Sequence, residues 1–540
     1  MVERVVRTIV RRFPTQILSP LCGGLLVTAL LSCVAPSPEQ TGPQAEPFSR
    51  TVPKAWDDDL LVSMHVPLAD PTVPVEHMSA RRYYELPVRV IYETYPIYHP
   101  DREPPGYIDD LKQREPKIKE FDVAQFTSEQ DWIDYGAQVF QLPTGTDSEP
   151  FSALFTFDQT RDREWYKKIP VRIESRTGIM PYGRYIIREK GKIEVGTLSC
   201  AMCHTRVMDD GSTILGAQGN YAFDRSGAQL LRDAAPLFAT EAEALKEFRA
   251  FDTLLFGIPW RTSDPLSRLG TVSLETYIGI YEAIPPGVLA RNGTSPVSPV
   301  QIPDLIGVQQ RKFLDRTGLI RHREIGDLMR YAALNQAAEL MTSYGDFIPG
   351  GENMRDVPGS QRSRFSDEQL FALAKYIYSL QPPDNPHRPR TQQQRKIVAN
   401  GKAVFERLHC GFCHRSPLYT SNRLSPVDGF EVPSDHLRTY GVTEFSLGTD
   451  PVLTLETRRG TGYYKIPSLL GVWYRGPFEH NGSVATLEDW FDPRRLSDDY
   501  LPTGWKGPPG TERRAVKGHP FGLNLPLEDR QALIAFLRTL

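Results

Sequence analysis

The sequence predicts a mainly α chain in which one module is used twice, with long irregular loops and an N-terminal extension of short strands. Three observations predict it. The pentapeptide C-x-x-C-H occurs as Cys200-Ala201-Met202-Cys203-His204 and again as Cys410-Gly411-Phe412-Cys413-His414. Helical apolar patterns recur in matching order around the two copies. The 46 prolines and 41 glycines in 540 residues require long connections between elements.

C-x-x-C-H is the attachment site of a c-type haem. Two thiols add across the two vinyl groups of one haem, and the adjacent His reaches the iron from the same side. Four of the six cysteines lie in the two copies, and Cys22 and Cys33 lie near the N-terminus, so no pair remains for a structural disulfide. A redox dithiol does not require the following His twice, and a zinc site would pair the four thiolates or add a second His at ligand spacing. The expectation is two covalently attached haem c groups in two cytochrome c-like domains, held by Cys200, Cys203 and His204 and by Cys410, Cys413 and His414. A formal charge of only -3, with no basic stripe visible in the sequence, argues against nucleic acid as a partner.

In chain order, residues 1–33 read as a targeting segment. Arg4, Arg7, Arg11 and Arg12 supply a positive start and Ile17 to Leu31 an apolar run too short for a comfortable membrane span. Leu30-Leu31-Ser32-Cys33 resembles a lipoprotein cleavage box, which implies a periplasmic protein anchored to the membrane by lipid on Cys33. Residues 34–55 are rich in Pro, Gln and Ser and read as a flexible tether. In the extension over 56–127, Arg81-Arg82-Tyr83-Tyr84 and Val88 to Tyr92 alternate like short strands, while His65, His77 and His99 stand isolated.

The repeat has three blocks. Gly136-Ala137-Gln138-Val139-Phe140, after the helix-start signal Thr127-Ser128-Glu129, matches Gly401-Lys402-Ala403-Val404-Phe405, the expected start of the helix that runs into Cys410. Ile302-Pro303-Asp304-Leu305 matches Ile466-Pro467-Ser468-Leu469, with Arg311 against Arg475. Phe365 to Leu380 matches Leu525 to Leu540, each with acidic residues in its first turn. Two haem domains follow, 128–388 with an insertion before Cys200 and 389–540, joined by a hinge at Gln381 to Pro386.

Function then depends on the sixth iron position. No Met follows Met354, so His436, His480 and His519 are the remaining His candidates for the second haem. His519 is preferred because it precedes the last helix, and His480 with Arg475 suits contact with the haem edge or propionates. Carried across the repeat, the His519 position falls on Ser360 and the His480 position on Arg316. Neither is a good iron ligand, so the His204 haem is expected to be open and reactive. Met354 is the residue placed to close it, and His322, Met208, Met329 and Met341 are the other candidates in reach. Glu275 and Glu282, on the helical stretch from Leu274 to Ile284, are the candidate acid/base groups, and Trp260 is a candidate relay between the haems.

The two motifs, the duplication and the block Gly476-Pro477-Phe478-Glu479-His480-Asn481-Gly482-Ser483-Val484-Ala485-Thr486-Leu487-Glu488 resemble the bacterial diheme cytochrome c peroxidase superfamily over residues 128–540. The resemblance implies an oxidoreductase in which one haem meets peroxide or dioxygen and the other feeds electrons from a redox partner. It also implies calcium between the domains, as in some relatives. Peroxidase members carry Met where His519 stands and a distal His absent from Thr205 to Arg225. The wide motif separation and long extension look more like the diheme rubber oxygenase branch. His519 weighs against the branch that matures methylamine dehydrogenase, whose counterpart ligand is Tyr. The alternative from another class is a diheme electron carrier with both irons closed.

Overall fold

Six helices position the two Cys-containing turns: α1 (Glu129–Gln141), α2 (Leu274–Glu282), α3 (Ile325–Gln336), α4 (Asp367–Ser379), α5 (Gln392–Arg407) and α6 (Leu527–Arg538). They belong to a computed structural model that describes residues 51–540 apart from 149–153, 169–171, 262–263, 292, 337, 352–361 and 511. The leader with Cys33, the tether up to residue 50, Met354 and Ser360 therefore lie outside the described residues. Among the described residues no helix is long and apolar enough to cross a membrane.

Local chemistry fixes the helix starts. The Ser128 hydroxyl accepts the Asp131 amide while the Asp131 carboxylate accepts the Ser128 amide, a capping box that opens α1. Ser366 with Gln369 opens α4 in the same way, and Thr391 with Gln394 opens α5. Helix α5 begins nine residues before Gly401, so Gly401 lies inside the helix and does not start it, as Gly136 lies inside α1.

Packing explains these interior glycines. A Cβ on Gly136 would collide with the Ala372 carbonyl of α4 and stand 2.7 Å from Tyr376 Cβ; one on Gly401 would collide with the Ala532 carbonyl of α6 and stand 2.8 Å from Phe536 Cβ. Two helix pairs, α1 with α4 and α5 with α6, thus cross at backbone contact.

The extension does not fold apart from the rest. Its strands β1 (Val75–Glu76) and β2 (Thr94–Pro96) pair with distant segments. β2 is one edge of an antiparallel sheet whose other members are β3 (Gly145–Thr146), β4 (Arg184–Glu189) and β5 (Lys192–Thr197), in the order β2-β4-β5-β3. β1 pairs with β6 (Ser343–Tyr344), with Val75 opposite Tyr344. The strand expected at Arg81 to Tyr84 is instead a helix, Ala80–Glu85, capped by Ser79. Tyr83 is buried there and stacks on Trp56 at 4.4 Å, so tertiary burial overrides the alternation. Val88 and Tyr92 form only isolated bridges, to Arg364 and Ile118.

One core joins Trp56 and Tyr83 of the extension to Trp132, Leu328 and Phe371 on α1, α3 and α4. A second joins Val404 and Phe405 of α5 to Val472 and to Leu533 and Phe536 of α6. A third, around Tyr277 and Ile278 of α2, takes in Trp505 from the far end of the chain. The hinge from Gln381 to Pro386 contains neither helix nor strand.

Candidate functional site

Cys410 to Phe412 form one tight turn directly after α5, and the His414 amide closes it by donating to the Cys410 carbonyl at 2.9 Å. His414 Nδ1 donates to the Tyr419 carbonyl at 3.2 Å, which fixes the tautomer and leaves Nε2 as a lone-pair donor. The ring of His519 faces it, with centres 6.4 Å apart and planes at 55°. Two imidazoles on opposite sides of one metal, each at a metal–nitrogen distance of about 2 Å, put their ring centres roughly 6 Å apart. His519 Nδ1 is buried with no hydrogen-bond partner among the described residues. Burial lowers both imidazoles to about 4, so both are neutral and able to ligate at pH 7.

The loop that presents His519 is held by its backbone. Gly518 and His519 both have positive φ, 87° and 42°, and a Cβ on Gly518 would meet Thr449 Cα at 2.7 Å. Fully buried Arg495 donates to the carbonyls of Val516 (2.8 Å), Gly518 (2.9 Å) and His519. The His519 amide donates to Leu447 at 3.0 Å, and Trp490 packs edge-on against the ring at 5.2 Å.

The first motif is built alike on one side only. Ser199 caps the turn Cys200–Cys203, and the His204 amide donates to the Cys200 carbonyl at 2.9 Å. His204 Nδ1 donates to the Pro303 carbonyl at 3.0 Å. The corresponding Pro467 carbonyl makes a backbone bond to His414. Burial, reinforced by the Arg291 charge, lowers His204 to about 4. Gln336, at the end of α3, donates to Cys200 Sγ at 3.5 Å. Among the described residues no imidazole stands opposite His204 as His519 stands opposite His414. His322 is occupied at both nitrogens, by the Arg311 carbonyl at 2.8 Å and the Tyr378 hydroxyl at 2.6 Å. Met329 and Met341 are packed into the core and Met208 lies at its edge.

Burial raises the four thiols, Cys200, Cys410 and Cys413 to about 11 and Cys203 to about 12. The thiols and the three imidazoles are partly buried and keep some accessible surface.

Between the motifs lies a cavity lined by Arg311, Arg316, Arg423, Lys465 and Arg475 together with Asp304. The Asp304 carboxylate approaches Arg311 and Arg475 only to 3.9 Å, while its backbone carbonyl accepts from Arg311. Burial, then the charges of Arg475 and Arg311, lower Arg316 to about 9; burial, then Arg316 and Arg311, hold Lys465 well below the usual lysine range. Arg316 Nε and Arg475 Nε are buried without partners. A cluster of buried cations with orphaned donors fits an anionic group such as a pair of haem carboxylates. Arg475, the expected haem contact, lines this cavity, and so does Arg316, expected only as the counterpart of His480.

Other expectations change. His480 is turned toward Glu479, Nδ1 to Oε2 3.3 Å, and stacks on Tyr464 at 4.5 Å, so it does not face His414. His436 bonds the Tyr463 hydroxyl at 2.8 Å. Glu275 and Glu282 are not acid/base groups of a buried site: they lie on the exposed face of α2 and share Arg232, at 3.0 and 2.7 Å, while α2 buries Tyr277 and Tyr281. Trp260 stacks on Tyr344 at 5.4 Å and not between the two motif histidines. For the calcium implied by the resemblance, no three or more His, Cys, Asp or Glu side chains converge among the described residues.

Sequence reading missed His65 and His77. They are stacked at 4.7 Å, with His65 Nδ1 donating to the Leu61 carbonyl at 2.7 Å and His77 Nδ1 bonded to Thr342 Oγ1 at 3.0 Å. Nearby, Glu339 pairs with Arg459 at 2.7 Å just past the end of α3. No signal in the sequence joins residues 65 and 77, because β1 pairing with β6 brings them to this position.

No protein-family model matches the chain, and no curated protein does. Among solved structures it is similar to hydrazine synthase of Kuenenia stuttgartiensis, at 17% identity over 55% of this chain and 87% of that one with a TM-score of 0.27. It is also similar to a MauG-like protein associated with microbial copper homeostasis, at 17% identity over 56% and 90% with a TM-score of 0.28. At these scores neither likeness carries an argument, and the functional reading rests on the residues themselves.

Proposed function

We propose that the chain is a diheme c-type oxidoreductase. Cys200, Cys203 and His204 would hold one haem, and Cys410, Cys413 and His414 the other, with the facing His519 imidazole able to bind the same iron. The supporting observation is the 6.4 Å separation of the His414 and His519 rings, against no imidazole opposite His204 among the described residues. A bound c-type haem supplies a one-electron iron centre, and an iron with a free axial position also binds peroxide or dioxygen.

The protein's own groups do the rest. The Pro303 and Tyr419 carbonyls orient His204 and His414 through Nδ1. Arg495 holds the His519 loop. The cationic cavity around Arg316, Lys465 and Arg475 receives propionates and stabilises their negative charge. The paired crossings at Gly136 with Ala372 and Gly401 with Ala532, and the paired roles of Pro303 and Pro467, support descent of 128–388 and 389–540 from one duplicated haem domain. Peroxide or dioxygen at the His204 side, with electrons entering at the His414 side, is the reaction class; a periplasmic lipoprotein anchored at Cys33 is the setting.

The ferric visible and electron paramagnetic resonance spectra test this reading. One high-spin and one low-spin haem are expected, with cyanide converting only the high-spin signal. A wholly low-spin protein that ignores cyanide and peroxide would make it an electron carrier.

A further inference from the structure

We propose that the exposed side of α5 together with the turn Cys410 to Arg415 is the docking face for an acidic redox protein, which exchanges electrons there with the centre at His414. The inference rests on the haem reading above and adds the surface and the charge class of the partner.

The two motifs differ in depth. The intervening residues of the first, Ala201 and Met202, are 0% and 1% exposed, whereas Phe412 of the second is 37% exposed. An electron carrier that approaches from outside thus meets the second motif, where Phe412 reaches the surface. The charge along the helix that leads to the motif is one-sided. From His387 to Arg415 there are seven Lys and Arg against a single carboxylate, Glu406, in a chain whose net charge is -3. Arg407 pairs with Asp529 and Lys402 with Glu406. Arg388, Arg390, Arg395, Lys396 and Arg415 are exposed, and no carboxylate of the described residues pairs with them.

Exposed cations without a carboxylate partner thus run from just before α5 to Arg415, and an exposed aromatic beside the motif ends the strip, a charged surface with an apolar contact at one end. The 16-residue helix is about 24 Å long, the scale of the small footprints that weak electron-transfer complexes use. Because the rest of the chain is acidic on balance, this face also orients an approaching acidic partner before contact. One electron would pass from the reduced partner, which is oxidised, to the ferric haem that Cys410, Cys413 and His414 would hold, which is reduced; no bond or proton is transferred.

The test uses the haem-loaded protein and a plant-type ferredoxin as acidic probe, with the basic mitochondrial cytochrome c as control. Dissociation constants are measured by calorimetry at low salt and at about 0.2 M salt, where exposed charges are largely screened. The ferredoxin is expected to bind, to weaken about tenfold with salt, and to weaken about as much in the R388E/R390E/R395E/K396E variant. Unchanged affinity in that variant, with its melting temperature and haem absorbance intact, overturns the proposal. Tighter binding of the basic cytochrome overturns it too. Tighter binding to phosphatidylglycerol vesicles than to ferredoxin would overturn it by assigning the face to a membrane. Covalent haem is scored separately on the denatured chain: its absence at Cys410 and Cys413 overturns the underlying reading, whereas loss of charge-dependent binding with that haem present overturns the docking face alone.

Discussion

A Cβ built on Gly401 would overlap the carbonyl oxygen of Ala532, so α5 and α6 touch backbone to backbone. The same relation holds between Gly136 and Ala372 on α1 and α4. Alanine gains about 1 kcal/mol over glycine in a free helix, yet here it must push the partner helix away, and overpacking costs about 1–3 kcal/mol. Gly401→Ala and Gly136→Ala are each expected to lower the melting temperature. A rise in either variant would show that the helices are not in contact there.

Arg495 is expected to control the second centre through the backbone of His519, without a hydrogen bond to its imidazole. It donates to four carbonyls, those of Trp490, Val516, Gly518 and His519. Arg495→Met leaves these buried acceptors unpaired, at a cost of about 1–3 kcal/mol for each unmet bond, partly relieved by relaxation. The expected readout is partial conversion of the low-spin haem to high spin together with a lower melting temperature. Arg495→Lys should fall between, because one ammonium cannot reproduce the planar fork. A variant that melts lower but stays fully low-spin would separate fold stability from ligand positioning.

That His519 faces His414 was legible because elimination among the histidines after His414 left few candidates. The paired helices were legible because apolar period and capping residues are local. What sequence could not carry is convergence over long separations. The cations Arg311, Arg316, Lys465 and Arg475 come from two segments far apart in the chain, and none is unusual by itself. Glu275 and Glu282 failed for the opposite reason: carboxylates on a helix look alike whether they face a site or solvent, and only packing of Tyr277 and Tyr281 turns them outward.

The pair His65 and His77 sets a pH dependence. Burial, in His65 reinforced by Arg459, lowers it to about 4; burial, then His65, lowers His77 to about 3. Unfolded histidine titrates near 6.5, so on acidification the unfolded chain takes up these protons first. Both contributions are fully present above pH 6.5 and are lost between about 6.5 and 3, each by about 1.4 kcal/mol per pH unit. In a His65→Gln/His77→Gln variant the fall in stability across that window should flatten, as read by denaturant unfolding at stepped pH. An unchanged slope would mean that the two rings are solvated.

Lys465 gives a prediction whose sign depends on the anion. In the protein alone its ammonium is buried beside Arg316 and Arg311, and that repulsion with burial is why its proton is held weakly. Lys465→Met removes a buried amine whose protonation burial and the neighbouring arginines oppose, which should stabilise a chain made without haem. With propionates in the cavity the same ammonium becomes half of a buried ion pair, and its removal leaves an anion uncompensated, a loss of about 3–5 kcal/mol. Thermal unfolding of both forms reads the two signs. Stabilisation by Lys465→Met in the haem-loaded protein as well would show that the carboxylates of the haem lie elsewhere.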